Sequence, residues 1–213
     1  MKRSLAIFGA GQHGKVVLAC ARARAIYSVY SFLDDRAGIK GKMVDGIEVV
    51  GGRILPKSNK IPRGTFFIIG LGDIGKRVEI ENIIRQAGYP FATIIHPRAI
   101  VGENAVIGEG TLVEAGCLVA QGARIGRHVI LNPGSSVNHD NVIGDFVHVA
   151  GGVVLGGGVS IGDRTLLGVG AVVGSHVRIG SNVRVSAGAL IVRDVPDDSV
   201  VVARPSRVMA GDR

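Results

Sequence analysis

From Ala99 to Asp194 the chain divides without a gap into sixteen six-residue blocks, and the third residue of every block is aliphatic, from Val101 and Ile107 to Val185 and Ile191. The fourth is usually glycine, as at Gly102, Gly108, Gly126, Gly144, Gly156, Gly162, Gly168, Gly174 and Gly180. A fixed short period marks a solenoid. One apolar side chain per block points inward from a short flat strand, and the small residue after it is expected to turn the corner through dihedrals that strain other residues. If three blocks close one triangular coil, the sixteen blocks build about five coils, each rising by about 4.8 Å. So thin an interior has no room for large rings, and Phe146 is the one Phe, Tyr or Trp in the blocks. The density of Gly and Val argues against helix.

The first 95 residues follow another rule. Ser4–Phe8 predicts a buried strand, Lys15–Arg24 a helix and Val29–Leu33 a second strand ending in Asp34-Asp35. A short strand is expected over Val44–Val50, a clear one over Thr65–Ile69, a helix to about Ala87, and a last strand over Phe91–Ile95 before His96-Pro97. Strands alternating with helices imply a parallel sheet with crossover connections. Gly9, Gly11 and Gly14 form a GxGxxG between strand and helix, where a turn can cradle phosphate. Asp34 lies twenty residues beyond Gly14, a spacing that suits a ribose hydroxyl. The domain is half the size of a full dinucleotide fold, which favours a mononucleotide over NAD. A merely tight turn is the competing reading, and Gly70-Leu71-Gly72, a second strand–Gly–helix step, weighs against it.

Composition removes several classes. No apolar run approaches the roughly 20 residues that span a bilayer. The basic start, Met1-Lys2-Arg3, precedes Leu5–Phe8, but Gln12, His13 and Lys15 interrupt the apolar stretch, so it reads as a first strand and not a signal peptide. Cys20 and Cys117 fall in different predicted domains and suggest reduced, structural thiols in a cytoplasmic protein. The net charge of +8 suits anionic partners. The basic residues are scattered without aromatic neighbours, which favours phosphorylated small molecules over nucleic acid.

A strand ending in Gly9–Lys15 (G-x-x-x-H-G-K), the Asp34-Asp35 pair, Ile95-His96-Pro97, and Asn138-His139-Asp140 within hexapeptide repeats together resemble the sugar O/N-acetyltransferases of the sialic acid O-acetyltransferase and bacillosamine-type N-acetyltransferase group. The resemblance covers nearly the whole chain. It implies a half-Rossmann-like α/β domain over 1–95 that binds a nucleotide sugar, then a left-handed parallel β-helix with a C-terminal tail over 96–213. It also implies acetyl-CoA as donor, no metal, a homotrimer with active sites between subunits, and a place in glycan or surface polysaccharide synthesis.

The chemistry is expected where the repeat falters. Asn132 and Asn138 replace the corner glycine, and His139-Asp140 follows on the outside of a corner. Acyl transfer from a thioester needs a base beside the nucleophile, and histidine takes a proton near neutral pH. An adjacent carboxylate fixes its tautomer. A solvated surface histidine is the alternative that the residues alone leave open. By the resemblance, His139 is the general base and Asp140, where relatives often carry Glu, raises its basicity. The resemblance also assigns His148, Val169 and Ala187 to acetyl-CoA, and Gly11, Gln12, His13, Asp34, Asp35 and Gly70 to the nucleotide sugar. His148 lies half a coil from His139, which places it on another face of one subunit; across a trimer interface the two could face one cleft. His128 and His176 are expected at the surface, and Ser135 and Ser136 as ordinary corner residues. Ala203-Arg204-Pro205-Ser206-Arg207 resembles the family's G-N-P-A-K/R ending, with Arg204 and Arg207 as candidate contacts to CoA phosphates.

The reading is direct acetyl transfer to the amino group of a UDP- or GDP-linked amino sugar. O-acetylation of a sugar or sialic acid hydroxyl makes the same demand on His139. A γ-type carbonic anhydrase needs three histidines around zinc, and the repeat histidines here are 11, 9 and 28 residues apart. A non-enzymatic nucleotide-binding scaffold predicts no CoA-dependent activity.

Overall fold

The computed structural model describes residues 2–53 and 61–203. Its first part is a sheet with a helix on each face. β1 (Arg3–Phe8), α1 (Gln12–Arg24), β2 (Tyr27–Leu33), β3 (Met43–Val44), β4 (Ile47–Gly51), β5 (Phe66–Ile69) and α2 (Ile74–Gln86) follow in sequence, and the strands lie in the order β3-β4-β2-β1-β5. Alternate residues of β1 serve the two faces. Leu5 and Ile7 pack with Val17, Leu18 and Ala21 of α1. Ala6 and Phe8 pack with Ile80 and Ile84 of α2. A strand covered on both sides reads as an unbroken apolar run.

Three local expectations need correction. The strand expected over Val44–Val50 is a hairpin: β3 and β4 run antiparallel and turn at Asp45 and Gly46, both at positive φ. The helix expected from Lys15 begins at Gln12, inside the glycine motif. The strand expected over Phe91–Ile95 splits. Phe91 makes a single bridge to Phe67, while β6 (Ile94–Ile95) pairs with β9 (Leu112–Val113) of the solenoid.

The solenoid follows the predicted period. Two-residue strands start every six residues from β7 (Ile100–Val101) to β22 (Leu190–Ile191), and each pairs in parallel with its neighbour one coil away, as Leu118 with Ile100. Three blocks therefore make one coil. The first face holds β6, β9, β12 (Ile130–Leu131) and β15 (His148–Val149), and ends in β23 (Val200–Val201). The second holds β7, β10 (Leu118–Val119) and β13 (Ser136–Val137), and the third holds β8 (Val106–Ile107) and β14 (Val142–Ile143).

The corner works differently from expectation. The fourth-position glycines are not the residues at positive φ. It is the sixth residue of each block, from Asn104 to Gly188, that turns through the left-handed region, at φ near 54–72°. The fourth residue is small because coils approach closely: a Cβ on Gly102 would lie 2.5 Å from Gln121 N, and one on Gly168 2.5 Å from Ala187 N. A second inward ladder also exists at the first residue of each block. Val129, Val147, Val153, Val159, Val177 and Val183 are buried there, as are Thr111, Ser135, Asn141 and Thr165. Thr111, Asn141 and Thr165 bond the backbone, Thr111 Oγ1 for example accepting from Val129 N at 3.0 Å, while Ser135 Oγ donates to Cys117 Sγ.

The sheet domain docks on the first face. Ile94 and Leu112, on its outer side, join the core under α1. From α2, Arg77 is 1% exposed and donates to the carbonyls of His128 and Phe146, each at 2.8 Å. No helix among the described residues is long and apolar enough to cross a membrane.

Candidate active site

The strand order reverses between β1 and β5, and ligands bind at such points in open α/β sheets. A cleft of about 380 Å³ opens there, and Gly11, Gln12, His13, Asp34, Asp35 and Gly70 all line it. Three glycines make the close approach possible. A Cβ on Gly9 would meet Gly70 O at 2.6 Å, one on Gly14 would meet Gly9 O at 1.8 Å, and one on Gly70 would meet Gly14 Cα at 2.8 Å. Gly11 differs, with open space where a Cβ would stand, and it caps α1 without a side-chain bond. Its turn therefore presents free N–H groups, the usual seat for phosphate.

The two aspartates divide their work. Asp34 accepts from Ala10 N at 2.8 Å and from Arg36 N, Nε and Nη2 at 2.9, 2.9 and 3.0 Å. Burial pushes its carboxyl up, but these bonds outweigh it and hold the group below the usual carboxylate range. Four bonds fill the capacity of a carboxylate. Asp34 thus organises the turn and has no lone pair left for ribose. Asp35 accepts from Arg53 N at 2.7 Å and Nε at 2.8 Å and keeps acceptor capacity toward the cleft. Sequence reasoning missed Arg36, Arg53 and Lys76, which also line the cleft. The position of Arg36 directly after the aspartate pair was the available signal.

His13, on the first turn of α1, reaches the solenoid. Its ring centroid lies 6.4 Å from that of His148 on β15. His148 Nε2 donates to Asn132 Oδ1 at 2.7 Å, and Asn132 Nδ2 donates to Glu114 Oε1 at 2.6 Å. Burial, with Arg77 nearby, lowers both histidines to about 4. Burial also raises the Glu114 carboxyl, against the bond from Asn132. His13 Nε2 has no hydrogen-bond partner among the described residues.

His128, expected at the surface, is 2% exposed. It stacks on Phe146 at 5.0 Å and meets the edge of Phe91 at 4.5 Å, because α2 and the chain after it cover this corner. His176 is exposed. Ser135 and Cys117 are buried inward residues, and burial pushes the Cys20 thiol up to about 12.

His139 and Asp140 stand in the turn between β13 and β14, at the corner between the second and third faces. Asp140 has φ 58°, a conformation Asp tolerates better than most residues. His139 Nδ1 lies 2.9 Å from Asp140 Oδ2, and both side chains are exposed. A carboxylate can only accept, so Nδ1 carries the proton and Nε2 presents its lone pair. Val169 and Ala187 lie one coil apart on the corner between the first and second faces and are both exposed. Within one chain the dyad and the cleft therefore sit on different sides of the solenoid. Arg204 and Arg207 lie outside the described residues. Among the described residues no group of three His, Cys, Asp or Glu side chains comes together as a metal site requires.

Known proteins share this fold. Residues 4–89 match a family model described as the PglD N-terminal domain, and residues 158–193 match the bacterial transferase hexapeptide model of six repeats. The chain is similar to the acetyltransferase domain of PglB from Neisseria gonorrhoeae, with 33% identity and a TM-score of 0.88 over 98% of this chain and 100% of that one. The same domain is known in complex with acetyl coenzyme A. A histidine mutant of perosamine N-acetyltransferase from Caulobacter crescentus, in complex with CoA and GDP-perosamine, is 33% identical with a TM-score of 0.87, covering 98% of this chain and 97% of that one. WeeI from Acinetobacter baumannii is 25% identical with a TM-score of 0.84, covering 96% and 99%. No curated protein sequence matches.

Proposed function

Because the chain belongs to the hexapeptide-repeat sugar acetyltransferases, we propose that it transfers acetyl from acetyl-CoA to the amino group of a nucleotide-linked sugar, with His139 as general base. The observation that carries this reading is the His139–Asp140 pair, an accessible imidazole with Nδ1 held at 2.9 Å and Nε2 free. The amine attacks the thioester carbonyl carbon, and His139 Nε2 takes the proton the nitrogen must lose. The C–S bond then breaks and the departing CoA sulfur recovers that proton. Asp140 orients the ring and stabilises the imidazolium as it forms.

The cleft supports a nucleotide diphosphate as the handle of the acceptor. The uncapped start of α1 suits phosphate, Lys76 brings an ammonium to the cleft wall, and Asp35 is left to accept from a base or ribose. The similarity to a perosamine N-acetyltransferase favours an amine over a hydroxyl. Gly11, Gln12, His13, Asp35 and Gly70 serve the acceptor, and His148, Val169 and Ala187 the donor.

The separation of cleft and dyad within one chain supports an active site completed by a neighbouring subunit in a homotrimer. The second face supports the same assembly. Its outward residues Ile100, Val154, Val172 and Leu190 are exposed by 67, 41, 40 and 69%, an apolar surface of the kind that marks interfaces. Substrates of this class place the enzyme in the cytoplasm.

The test is mass spectrometry of products from acetyl-CoA and a panel of UDP- and GDP-4-amino sugars, with sialic acids as hydroxyl acceptors. Acetylation of an amino sugar alone is expected. Acetylation only of hydroxyls, or none at all, overturns the reading.

A further inference from the structure

We propose that Gly157 is a positioning residue for the base, its missing side chain being the seat on which the His139 imidazole rests; this builds on the reading of His139 as base. Gln121, His139, Gly157 and Ser175 occupy the same corner position in successive coils. Side chains are accepted there at 121 and 175, and the glycine stands directly beyond the histidine. A Cβ on Gly157 would lie 2.5 Å from His139 Nε2, 2.6 Å from Cε1 and 3.2 Å from Cδ2, with no other atom among its three nearest neighbours. Real Cβ atoms do not approach so closely, so the ring would swing away, taking Nδ1 from Asp140.

The glycine is not needed for the backbone. Gly157 is absent from the positive-φ residues, whereas Gly122, whose Cβ would meet Asp140 Oδ1 at 2.5 Å, has φ +72° and would be strained by any side chain. The two coils are held in register beside the ring. Gly158 N donates to His139 O at 3.0 Å, and the side-chain Oδ1 of buried Asn141 accepts from Val159 N at 2.6 Å. A Cβ at 157 therefore displaces the exposed ring more readily than the coil. Ring and glycine form a matched pair, and the atom a methyl group would crowd is the one that takes the proton.

The experiment is a double-mutant cycle of Gly157→Ala and His139→Ala, with kcat, the KM of acetyl-CoA and melting temperature measured for each. Gly157→Ala is expected to lower kcat roughly 10- to 100-fold, to leave the acetyl-CoA KM within about twofold, and to cost nothing further in the His139→Ala background. The pH profile of kcat should also shift in Gly157→Ala, since the ring loses its carboxylate. Wild-type kcat in Gly157→Ala overturns the inference, as does an equal loss in both backgrounds. If Gly157→Ala melts low, recovery in the double variant supports a clash with the ring, and a low double variant overturns it. Near-normal turnover in His139→Ala alone instead defeats the underlying base assignment.

Discussion

The imidazole rings of His13 and His148 face each other across the junction of sheet and solenoid, with centroids 6.4 Å apart and planes tilted by 34°. One belongs to the glycine turn at the cleft and the other to a solenoid strand. The contact places the end of the cleft against the first face, with Arg77 fixing the dock from behind. Both rings are neutral at physiological pH because burial disfavours their charged form.

Acid should therefore unlock this junction. His13, His148 and His128 are each lowered to about 4 by burial, against about 6.5 in an unfolded chain. The first two face Arg77 and each other; His128 faces Glu109, Arg85, Arg77, Arg127 and Glu81. A depressed folded value means the unfolded chain binds more protons, so the stability is complete above about 6.5 and is lost as pH falls through about 4. Each histidine adds a slope of up to about 1.4 kcal/mol per pH unit in that window. Glu114, raised by burial, acts in the opposite direction. Thermal melts from pH 7 to 4 should show the decline, and His128→Phe, which keeps the ring stack, should flatten it by one proton.

The base assignment predicts a separation of chemistry from folding. His139→Ala should lose most turnover while melting temperature and CoA binding persist, because the side chain is exposed and supports no core. Asp140→Asn should lower kcat by about tenfold or more, since a neutral amide no longer favours the imidazolium. Steady-state kinetics with calorimetric titration of CoA checks both.

Of the two aspartates at the cleft, Asp35 is the one with unused acceptors. Asp35→Ala should raise the KM of the nucleotide sugar by at least about tenfold and leave the acetyl-CoA KM nearly unchanged. Asp34→Ala should instead lower the melting temperature, because Ala10 N and Arg36 lose their acceptor. Kinetics and melting curves on the two variants separate these roles.

Arg77 is the strut between domains. Arg77→Met orphans the carbonyls of His128 and Phe146 in a buried place and should cost about 3 kcal/mol in denaturant unfolding. Arg77→Lys should recover part of the loss, since an ammonium has no planar fork to span two carbonyls.

If the second face joins subunits, charge on it should separate them. Val172→Lys with Leu190→Lys should move the protein from trimer to monomer by light scattering, and activity should fall with it. A monomeric parent would remove the basis of the shared site.

The hexapeptide period predicted where the strands from β7 to β22 lie, because a thin coil leaves each block one way to bury its aliphatic residue. It misjudged the glycines: φ belongs to the sixth position and smallness to the fourth, and single-chain reading does not see how closely the next coil passes. A second inward ladder is legible in the spacing of Val129, Val147 and Val153. His128 was misplaced because its position is a surface corner in an isolated solenoid, and burial there comes from α2. Likewise the GxGxxG and Asp34-Asp35 located the cleft, while the hydrogen bonds that saturate Asp34 depend on the fold of Arg36.

Periodicity, the glycine motif and the break at Asn138-His139-Asp140 thus determined by themselves the architecture and the residues that could carry chemistry, because each is a local pattern with a local physical cause. Which aspartate is saturated by hydrogen bonds, which histidines are neutral and buried, and what lies beneath His139 were decided by the folded chain. Those depend on contacts between residues far apart in sequence: Arg77 with His128, His13 with His148, and Gly157 one coil beyond the base.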